Sequence, residues 1–160
     1  MDTKELYREI LNDHNVNPAH KTEMANATLK LQGINPSCGD NIVLYLKTEN
    51  GIITDGSYTG SGCAISQASV DMMLDLVIGK TREEAQNLYQ IFTAMIHGTA
   101  TEEQIEQLDE AASLADISHM PSRVKCAELG WRTLQEMLAS PVKNMEFTKQ
   151  ATQPHENCPL

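Results

Sequence analysis

The stretch IVLYLKTENGII, residues 42–53, carries the clearest sign of the fold. Its first half, Ile42 to Lys47, is rich in β-branched and aromatic residues, which favour a strand. The pair Asn50-Gly51 then supplies the positive φ angles of a tight turn, and Ile52 and Ile53 begin another strand. The stretch therefore predicts a β-hairpin.

A further strand is predicted before this hairpin. Between Ala27 and Gln32, Leu29 and Leu31 alternate with polar residues, as in a half-buried strand. A sheet this small is stable only when helices cover one of its faces. We therefore predict an α+β fold, in which a three-stranded antiparallel sheet is covered by helices.

Helical patterns lie on both sides of these strands. Leu6, Ile10 and Leu11 recur at helical spacing and predict a short helix over residues 3–12. A second apolar repeat predicts a helix over residues 64–78, which begins just after Cys63 and which Gly79 would end.

Three later helices are marked by their starts. Thr81-Arg82-Glu83-Glu84 and Thr101-Glu102-Glu103-Gln104 both match the capping box, with a hydroxyl at the cap and Glu or Gln three residues later. Pro121-Ser122 opens a last long helix. We place Cys126 in its first turn, away from the apolar stripe of that helix.

The length of 160 residues fits one domain of ordinary size. We predict a single domain over residues 1–140 and a loosely ordered tail over 141–160, where the periodicity is lost. His155 and Cys158 in this tail have the spacing of half a zinc site. Because no anchoring pattern surrounds them, we predict that they are functionally silent.

The charge excludes some classes of function. The chain has 12 Lys and Arg against 22 Asp and Glu, a formal net charge of -10, which disfavours binding to nucleic acid. The N-terminus, Met1 to Ile10, lacks the apolar run of a signal peptide or membrane span. We expect a cytoplasmic protein that binds no membrane, in which cysteines serve metal or redox chemistry rather than a disulfide framework.

Three cysteines, Cys38, Cys63 and Cys126, each follow a break between periodic segments. A thiolate is both a nucleophile and a soft ligand, so thiols at such places favour chemistry over packing. Asp40, two residues after Cys38, adds a carboxylate. Together the four side chains offer zinc a tetrahedral set, and the oxygen ligand is easier to displace than a fourth sulfur.

The surroundings of two cysteines predict acidic thiols. Gly60-Ser61-Gly62-Cys63 leads into the N-terminus of a helix, where free backbone amides favour a thiolate. We expect the same benefit for Cys126, with Arg123 and Lys125 adding positive charge.

Other interpretations of these residues remain open. A free cysteine is often an inert, buried residue, and the chain has no Cys-x-x-Cys pair. Asp40 is equally suited to capping a turn.

Three motifs carry a resemblance to a known family. The runs Asn35-Pro36-Ser37-Cys38-Gly39-Asp40, Gly60-Ser61-Gly62-Cys63-Ala64-Ile65-Ser66 and Arg123-Val124-Lys125-Cys126 are similar to those of the IscU and SufU iron–sulfur assembly family. The resemblance covers roughly residues 1 to 140 and implies that family's fold.

Within the family, the chain resembles the SufU branch more than the scaffold branch. The scaffold branch has a His before its third Cys, where this chain has Lys125, and a chaperone motif where this chain reads Met120-Pro121-Ser122-Arg123-Val124. In addition, 63 positions separate Cys63 from Cys126, consistent with the SufU insertion, within which residues 101–115 would fall.

The resemblance implies a zinc-dependent sulfurtransferase. Such a protein accepts persulfide sulfur from a SufS-type cysteine desulfurase and passes it to the SufBCD machinery. Cys38, Asp40, Cys63 and Cys126 match the zinc ligands, and Cys38 also matches the sulfur acceptor, which the docked desulfurase displaces from zinc. Arg123 and Lys125 match a basic element that would stabilise the persulfide or aid docking.

Two alternative functions belong to other classes of protein. The same ligands could hold iron or a transient [2Fe-2S] cluster on a scaffold of the IscU type, for delivery to apo-proteins. A purely structural zinc module would need the cysteines for folding and not for turnover.

Overall fold

A sheet of three long strands and one short strand positions all other elements. The computed structural model describes residues 3–139 and 150–152. In chain order the elements are α1 (Thr3–Val16), β1 (Leu29–Asn35), β2 (Asp40–Glu49), β3 (Ile52–Ser61), α2 (Ala64–Val77), α3 (Arg82–Ile96), α4 (Glu102–Glu106), a 3₁₀ segment (Asp109–His119), α5 (Pro121–Ala139) and β4 (Gln150–Thr152).

The predicted three-stranded antiparallel sheet is confirmed, with β2 at its centre. Asn50 and Gly51 form the hairpin turn with φ angles of 54° and 79°, as the sequence indicated. Strand β1 runs past the predicted end at Gln32, because its ladder with β2 continues until Asn35 pairs with Asp40.

A fourth strand was not predicted. Residues 150–152 form β4, which pairs in parallel with β1 opposite residues 32–34. A strand of three residues is too short to show a sequence pattern. It forms here because the edge of β1 offers unpaired backbone groups. His155 and Cys158 lie outside the described residues, so our prediction for the rest of the tail stays a prediction.

The helix starts agree with the sequence signals. Cys63 is the N-cap of α2, and both predicted capping boxes form, at Thr81 on α3 and at Thr101 on α4. Helix α5 begins at Pro121. The segment between α3 and α5, which the resemblance assigns to an insertion, contains the short α4 and the 3₁₀ segment.

Helices α2 and α5 pack closely against each other beneath the sheet. Trp131 of α5 is fully buried and stacks on Phe92 of α3, with ring centroids 4.4 Å apart. At Gly130 an added Cβ would lie 2.8 Å from the Cβ of Val70 on α2, so glycine permits the close approach. Cys126 lies one turn earlier on α5, and this packing brings it toward the start of α2.

The longest helix, α5, has 19 residues. Within the described ranges, no helix combines the length and the apolar character needed to cross a membrane.

Candidate metal and sulfur site

Three separate segments meet at one end of the sheet. The turn between β1 and β2 carries Cys38, and Asp40 is the first residue of β2. The connection after β3 leads to Cys63 at the cap of α2, and α5 contributes Cys126. Since Asn41 pairs with Ser61 across the β2–β3 ladder, the sheet places Asp40 next to the Cys63 connection.

Three of the four predicted ligands lie close together. The Sγ atoms of Cys38 and Cys126 and a carboxylate oxygen of Asp40 all lie within 4.8 Å of one another. The two sulfurs are 3.8 Å apart. Asp40 and Cys126 are fully buried, whereas Cys38 is half-buried. Cys38 is thus the part of this cluster that solvent or a partner can reach.

Cys63 lies beside this cluster rather than within its 4.8 Å limit. Its backbone N–H donates to Asp40 Oδ1 at 2.9 Å. Its Sγ accepts a hydrogen bond from the Ser66 N–H at 3.4 Å and forms a further one with the Cys126 side chain. Cys63 therefore contacts two of the three clustered residues.

The predicted acidity of Cys63 is found in the structure. A hydrogen bond with Cys126 lowers the pKa of the Cys63 thiol, and the Ser66 backbone N–H adds to this effect. Burial and the charge of Asp40 oppose it. The helix N-terminus thus contributes as expected, but the neighbouring thiol contributes more.

The matching expectation for Cys126 is wrong. The hydrogen bond with Cys63 raises the pKa of Cys126, and burial and the nearby Asp40 raise it further. Cys126 is the sixth residue of α5, beyond the first turn, so the free amides of the helix N-terminus do not serve it. Of these two thiols, Cys126 is therefore the one that retains its proton more readily.

Cys38 is disulfide-bonded in this structure, whereas Cys63 and Cys126 are free thiols. A thiolate is the form that binds metal or attacks sulfur. The chemistry considered below therefore requires Cys38 in its reduced form.

The donor set fits a tetrahedral zinc ion. Two sulfurs, each about 2.3 Å from zinc at tetrahedral angles, would lie about 3.8 Å apart. This is the observed separation of the Cys38 and Cys126 sulfurs. Asp40 would supply an oxygen ligand and Cys63 the remaining sulfur, with the same residues open to iron.

The hydrogen bonds of Asp40 reach beyond its own turn. Its Oδ1 accepts from the Cys63 N–H, and its Oδ2 accepts from Asn35 Nδ2 at 3.3 Å. The carboxylate therefore joins β1, β2 and the cap of α2 rather than capping the turn at Cys38. We predicted no role for Asn35. A four-residue turn over residues 36–39 would have been a signal for one, because it places Asn35 opposite Asp40 in the ladder.

Three more side chains lie near the site. Arg123 and Lys125, at the start of α5, are both half-buried. Tyr7 of α1 was not predicted to be near the site. Burial raises the pKa of its phenol, the nearby Cys63 adds to the increase, and Arg123 opposes it. No spacing rule connects α1 to the cysteines, so only the folded chain shows this proximity.

The fold and the clustered side chains define a small α+β domain with a candidate metal site at Cys38, Asp40 and Cys126, beside which Cys63 lies. The chain belongs to the NifU-like N-terminal domain family, which it matches over residues 6–127. This family includes the IscU and SufU proteins of iron–sulfur cluster assembly, as the sequence motifs indicated.

Some similar proteins are named IscU and one is named SufU. The chain is 37% identical to the iron–sulfur cluster assembly scaffold protein IscU of Streptococcus pyogenes serotype M1, over 95% of this chain and 94% of that protein. It is also 37% identical to the zinc-dependent sulfurtransferase SufU of Bacillus subtilis strain 168, over 84% and 90% respectively.

A solved structure agrees with the fold. It comes from the thermophile Fervidobacterium islandicum AW-1 and is described as a candidate iron–sulfur cluster assembly scaffold protein for the SUF system. The TM-score is 0.78 at 34% identity, over 86% of this chain and 99% of that one. The chain thus belongs to this family whether its function is that of the IscU relatives or that of the SufU relative.

Proposed function

We propose that this protein is a zinc-dependent sulfurtransferase of iron–sulfur cluster assembly, and that Cys38 is its sulfur acceptor. The observation that carries the proposal is the clustering of Cys38, Asp40 and Cys126, with Cys63 in contact. Among the three clustered residues, Cys38 alone is half-exposed, at the tip of a hairpin turn. A group that exchanges sulfur with another protein must be reachable in this way.

The transfer step conserves electrons. The Cys38 thiolate attacks the outer sulfur of a persulfide on a donor cysteine, and a new S–S bond forms at Cys38 Sγ. The donor S–S bond breaks, and the donor cysteine leaves as a thiolate with the electron pair. No oxidant or reductant is needed, because the product is again a persulfide.

Zinc held by Cys38, Asp40, Cys63 and Cys126 would keep the thiols deprotonated while lowering their nucleophilicity. The half-buried Cys38 is then more open to exchange with a partner side chain than the fully buried Asp40 and Cys126. Reactivity is in this way confined to the docked state, where the donor persulfide is present.

Arg123 and Lys125 would favour the anionic persulfide or its donor. Arg123 lies one turn before Cys126 on α5 and close enough to affect Tyr7 electrostatically. Positive charge near a developing anion stabilises it most where water is restricted. Charge-neutral variants, Arg123→Gln and Lys125→Gln, should slow transfer without changing zinc content; normal transfer would contradict this role.

The partners that we propose are those implied by the resemblance of the motifs to the SufU branch. A SufS-type cysteine desulfurase would donate the sulfur, and SufBCD would receive it. Lys125 supports this assignment, because it occupies the position where the scaffold branch has a histidine ligand. The net charge of -10 suits a partner with a basic docking surface. We place both partners and this protein in the cytoplasm.

The test is cysteine-dependent sulfide release by the cognate desulfurase, measured alone and with reduced protein in zinc-loaded or metal-free form. Strong stimulation by the zinc form alone, with a persulfide detected on Cys38 by mass spectrometry, would support the proposal. Absence of stimulation would favour the scaffold function.

Cys38→Ala should keep the fold and abolish sulfur acceptance. Ser61→Ala provides a matched control, because this exposed side chain lies near the site and carries no thiol. Full transfer activity in Cys38→Ala would overturn the assignment of the acceptor.

A second candidate is a scaffold for a [2Fe-2S] cluster. The observation in its favour is that the Streptococcus relative named IscU is as similar to this chain as the relative named SufU. Iron and sulfide that stay bound through gel filtration, and pass to an apo-acceptor, would favour it. The cluster would then be cargo held by the same four residues.

A further inference from the structure

Asn35 faces Asp40 directly across the β1–β2 ladder. It is the last residue of β1, is fully buried, and is the pairing partner of Asp40. Opposed residues on antiparallel strands project to the same face, with Cβ atoms about 4.5–5.5 Å apart. This register lets Asn35 Nδ2 donate to Asp40 Oδ2 at 3.3 Å. The contact is therefore determined by the sheet itself.

The other oxygen of Asp40 is held by a different element. Its Oδ1 accepts the backbone N–H of Cys63, at the cap of α2. A neutral donor thus holds each oxygen of a carboxylate that is itself fully buried, and the Cys126 side chain forms a further hydrogen bond with this carboxylate. Two such hydrogen bonds define both the position and the plane of the carboxylate.

The amide of Asn35 includes a buried oxygen that destabilises the fold. Asn35 Oδ1 is buried, and no group of the described chain donates to it. An unsatisfied buried acceptor costs about 1–3 kcal/mol. Reversing the amide would turn its oxygen toward the carboxylate of Asp40 and lose the hydrogen bond. An apolar residue of similar volume would avoid this cost, so the donor to Asp40 is what the amide contributes here.

We propose that Asn35 is a positioning residue for metal binding, which holds the Asp40 carboxylate toward the sulfurs of Cys38 and Cys126. The inference rests on the metal site of the proposed function but not on sulfur transfer. With both hydrogen bonds in place, an Asp40 oxygen lies within 4.8 Å of each sulfur. Loss of a partner that orients a metal ligand typically weakens metal binding by about 10–100-fold.

The experiment measures zinc affinity of the reduced protein by competition with a chromophoric chelator. Asn35→Leu, similar in volume but without a donor, should bind zinc at least about 10-fold more weakly than the wild type. Asn41→Leu is the matched control. Asn41 Oδ1 accepts from Gln32 Nε2 at 2.8 Å in the same ladder, so this variant loses a similar hydrogen bond away from Asp40. Its zinc affinity should be unchanged.

A double-mutant cycle separates positioning from packing. In an Asp40→Ala background, Asn35→Leu should cause no further loss of zinc affinity, because Asn35 acts through Asp40. An equal loss in both backgrounds would overturn the inference, as would wild-type affinity in Asn35→Leu. If circular dichroism shows that Asn35→Leu does not fold, Asn35→Val replaces it, since a β-branched residue suits the strand.

The outcomes also separate this inference from the proposed function. Wild-type zinc affinity in Asp40→Ala would overturn it, because the carboxylate would then not be a ligand. A protein that shows the Asn35 effect on zinc but does not accept sulfur would contradict the sulfurtransferase proposal alone.

Discussion

The pKa of Cys63 is lowered and the pKa of Cys126 is raised, although the two side chains share a hydrogen bond. Cys63 is half-buried and receives the Ser66 N–H, whereas Cys126 is fully buried beside Asp40. A metal that binds both sulfurs must displace the proton that Cys126 holds. Metal uptake by this site should therefore release protons.

Iodoacetamide should distinguish the two thiols. In reduced, metal-free protein near neutral pH, we expect Cys63 to be alkylated much faster than Cys126, because its pKa is lowered and it is more accessible. Peptide mass spectrometry over time gives the two rates. Zinc should protect both residues, and equal rates in the metal-free protein would contradict the predicted proton distribution.

Gly60 shows how closely strands β2 and β3 approach beside the site. Its φ angle is +126°, and an added Cβ would lie 2.1 Å from the backbone oxygen of Asn41. Gly79 has a similar φ of +91°, but no atom lies within 4 Å of its added Cβ. An alanine would therefore strain the backbone at both positions, but only at Gly60 would its Cβ also clash with a neighbouring strand.

We expect Gly79→Ala to lower the free energy of unfolding by about 1–2 kcal/mol, from strain alone. Gly60→Ala should cost about 1–3 kcal/mol more, because the clash is with backbone that cannot move freely. Urea unfolding of the reduced proteins measures both. Equal losses would mean that the β2–β3 ladder adjusts without cost.

At the scale of the elements, a buried histidine connects helix α1 to two other elements. His14 is buried, its Nδ1 lies 2.6 Å from Asp71 Oδ2 on α2, and its Nε2 lies 3.0 Å from Glu110 Oε2 in the 3₁₀ segment. Burial alone would lower the pKa of His14, but the hydrogen bonds and charges of Asp71 and Glu110 raise it above its ordinary value. The contact is thus strongest with a protonated imidazole.

This pKa shift predicts a pH-dependent stability. The contribution should be complete below the unfolded pKa of about 6.5 and should be lost as pH rises through the higher folded pKa. Urea midpoints at several pH values should show this loss in the wild type and not in His14→Gln. Glu110→Gln, which removes one of the two carboxylates, should retain part of it. A His14→Gln variant with wild-type pH dependence would show that another group is responsible.

The element starts could be predicted because their signals are local. The capping boxes at Thr81 and Thr101 and the turn at Asn50 lie within a few residues of the structure they specify. Burial and register are not local. The sequence placed Cys126 at a helix start, but the packing of α5 on α2 decides that it is buried. Likewise, strand β4 depends on the edge of β1 and has no pattern of its own.

At the scale of the whole molecule, the candidate site depends on the complete fold. Cys38 and Cys126 are separated by 88 positions in the chain, yet their sulfurs are 3.8 Å apart. The unfolded chain does not hold these groups together, so metal binding to the folded form stabilises it. All four candidate ligands were recognisable from the sequence, but the distances between them required the tertiary structure.

Zinc should therefore raise the stability of the reduced protein. At a free zinc concentration 100 times the dissociation constant, the free energy of unfolding should increase by about 2.7 kcal/mol. Urea unfolding with buffered zinc or with chelator measures the difference. Cys38→Ser should lose most of the increase. Equal stability with and without zinc would contradict preferential binding to the folded chain.

The positions of the candidate ligands along the chain also determine when the site can form during synthesis. Cys38, Asp40 and Cys63 leave the ribosome well before α5, which carries Cys126. A nascent chain without α5 has neither the third thiol of the candidate site nor the helix that packs against α2. We therefore expect the mature site to form only after translation has passed Cys126, so that incomplete chains hold the metal weakly and leave it to finished molecules.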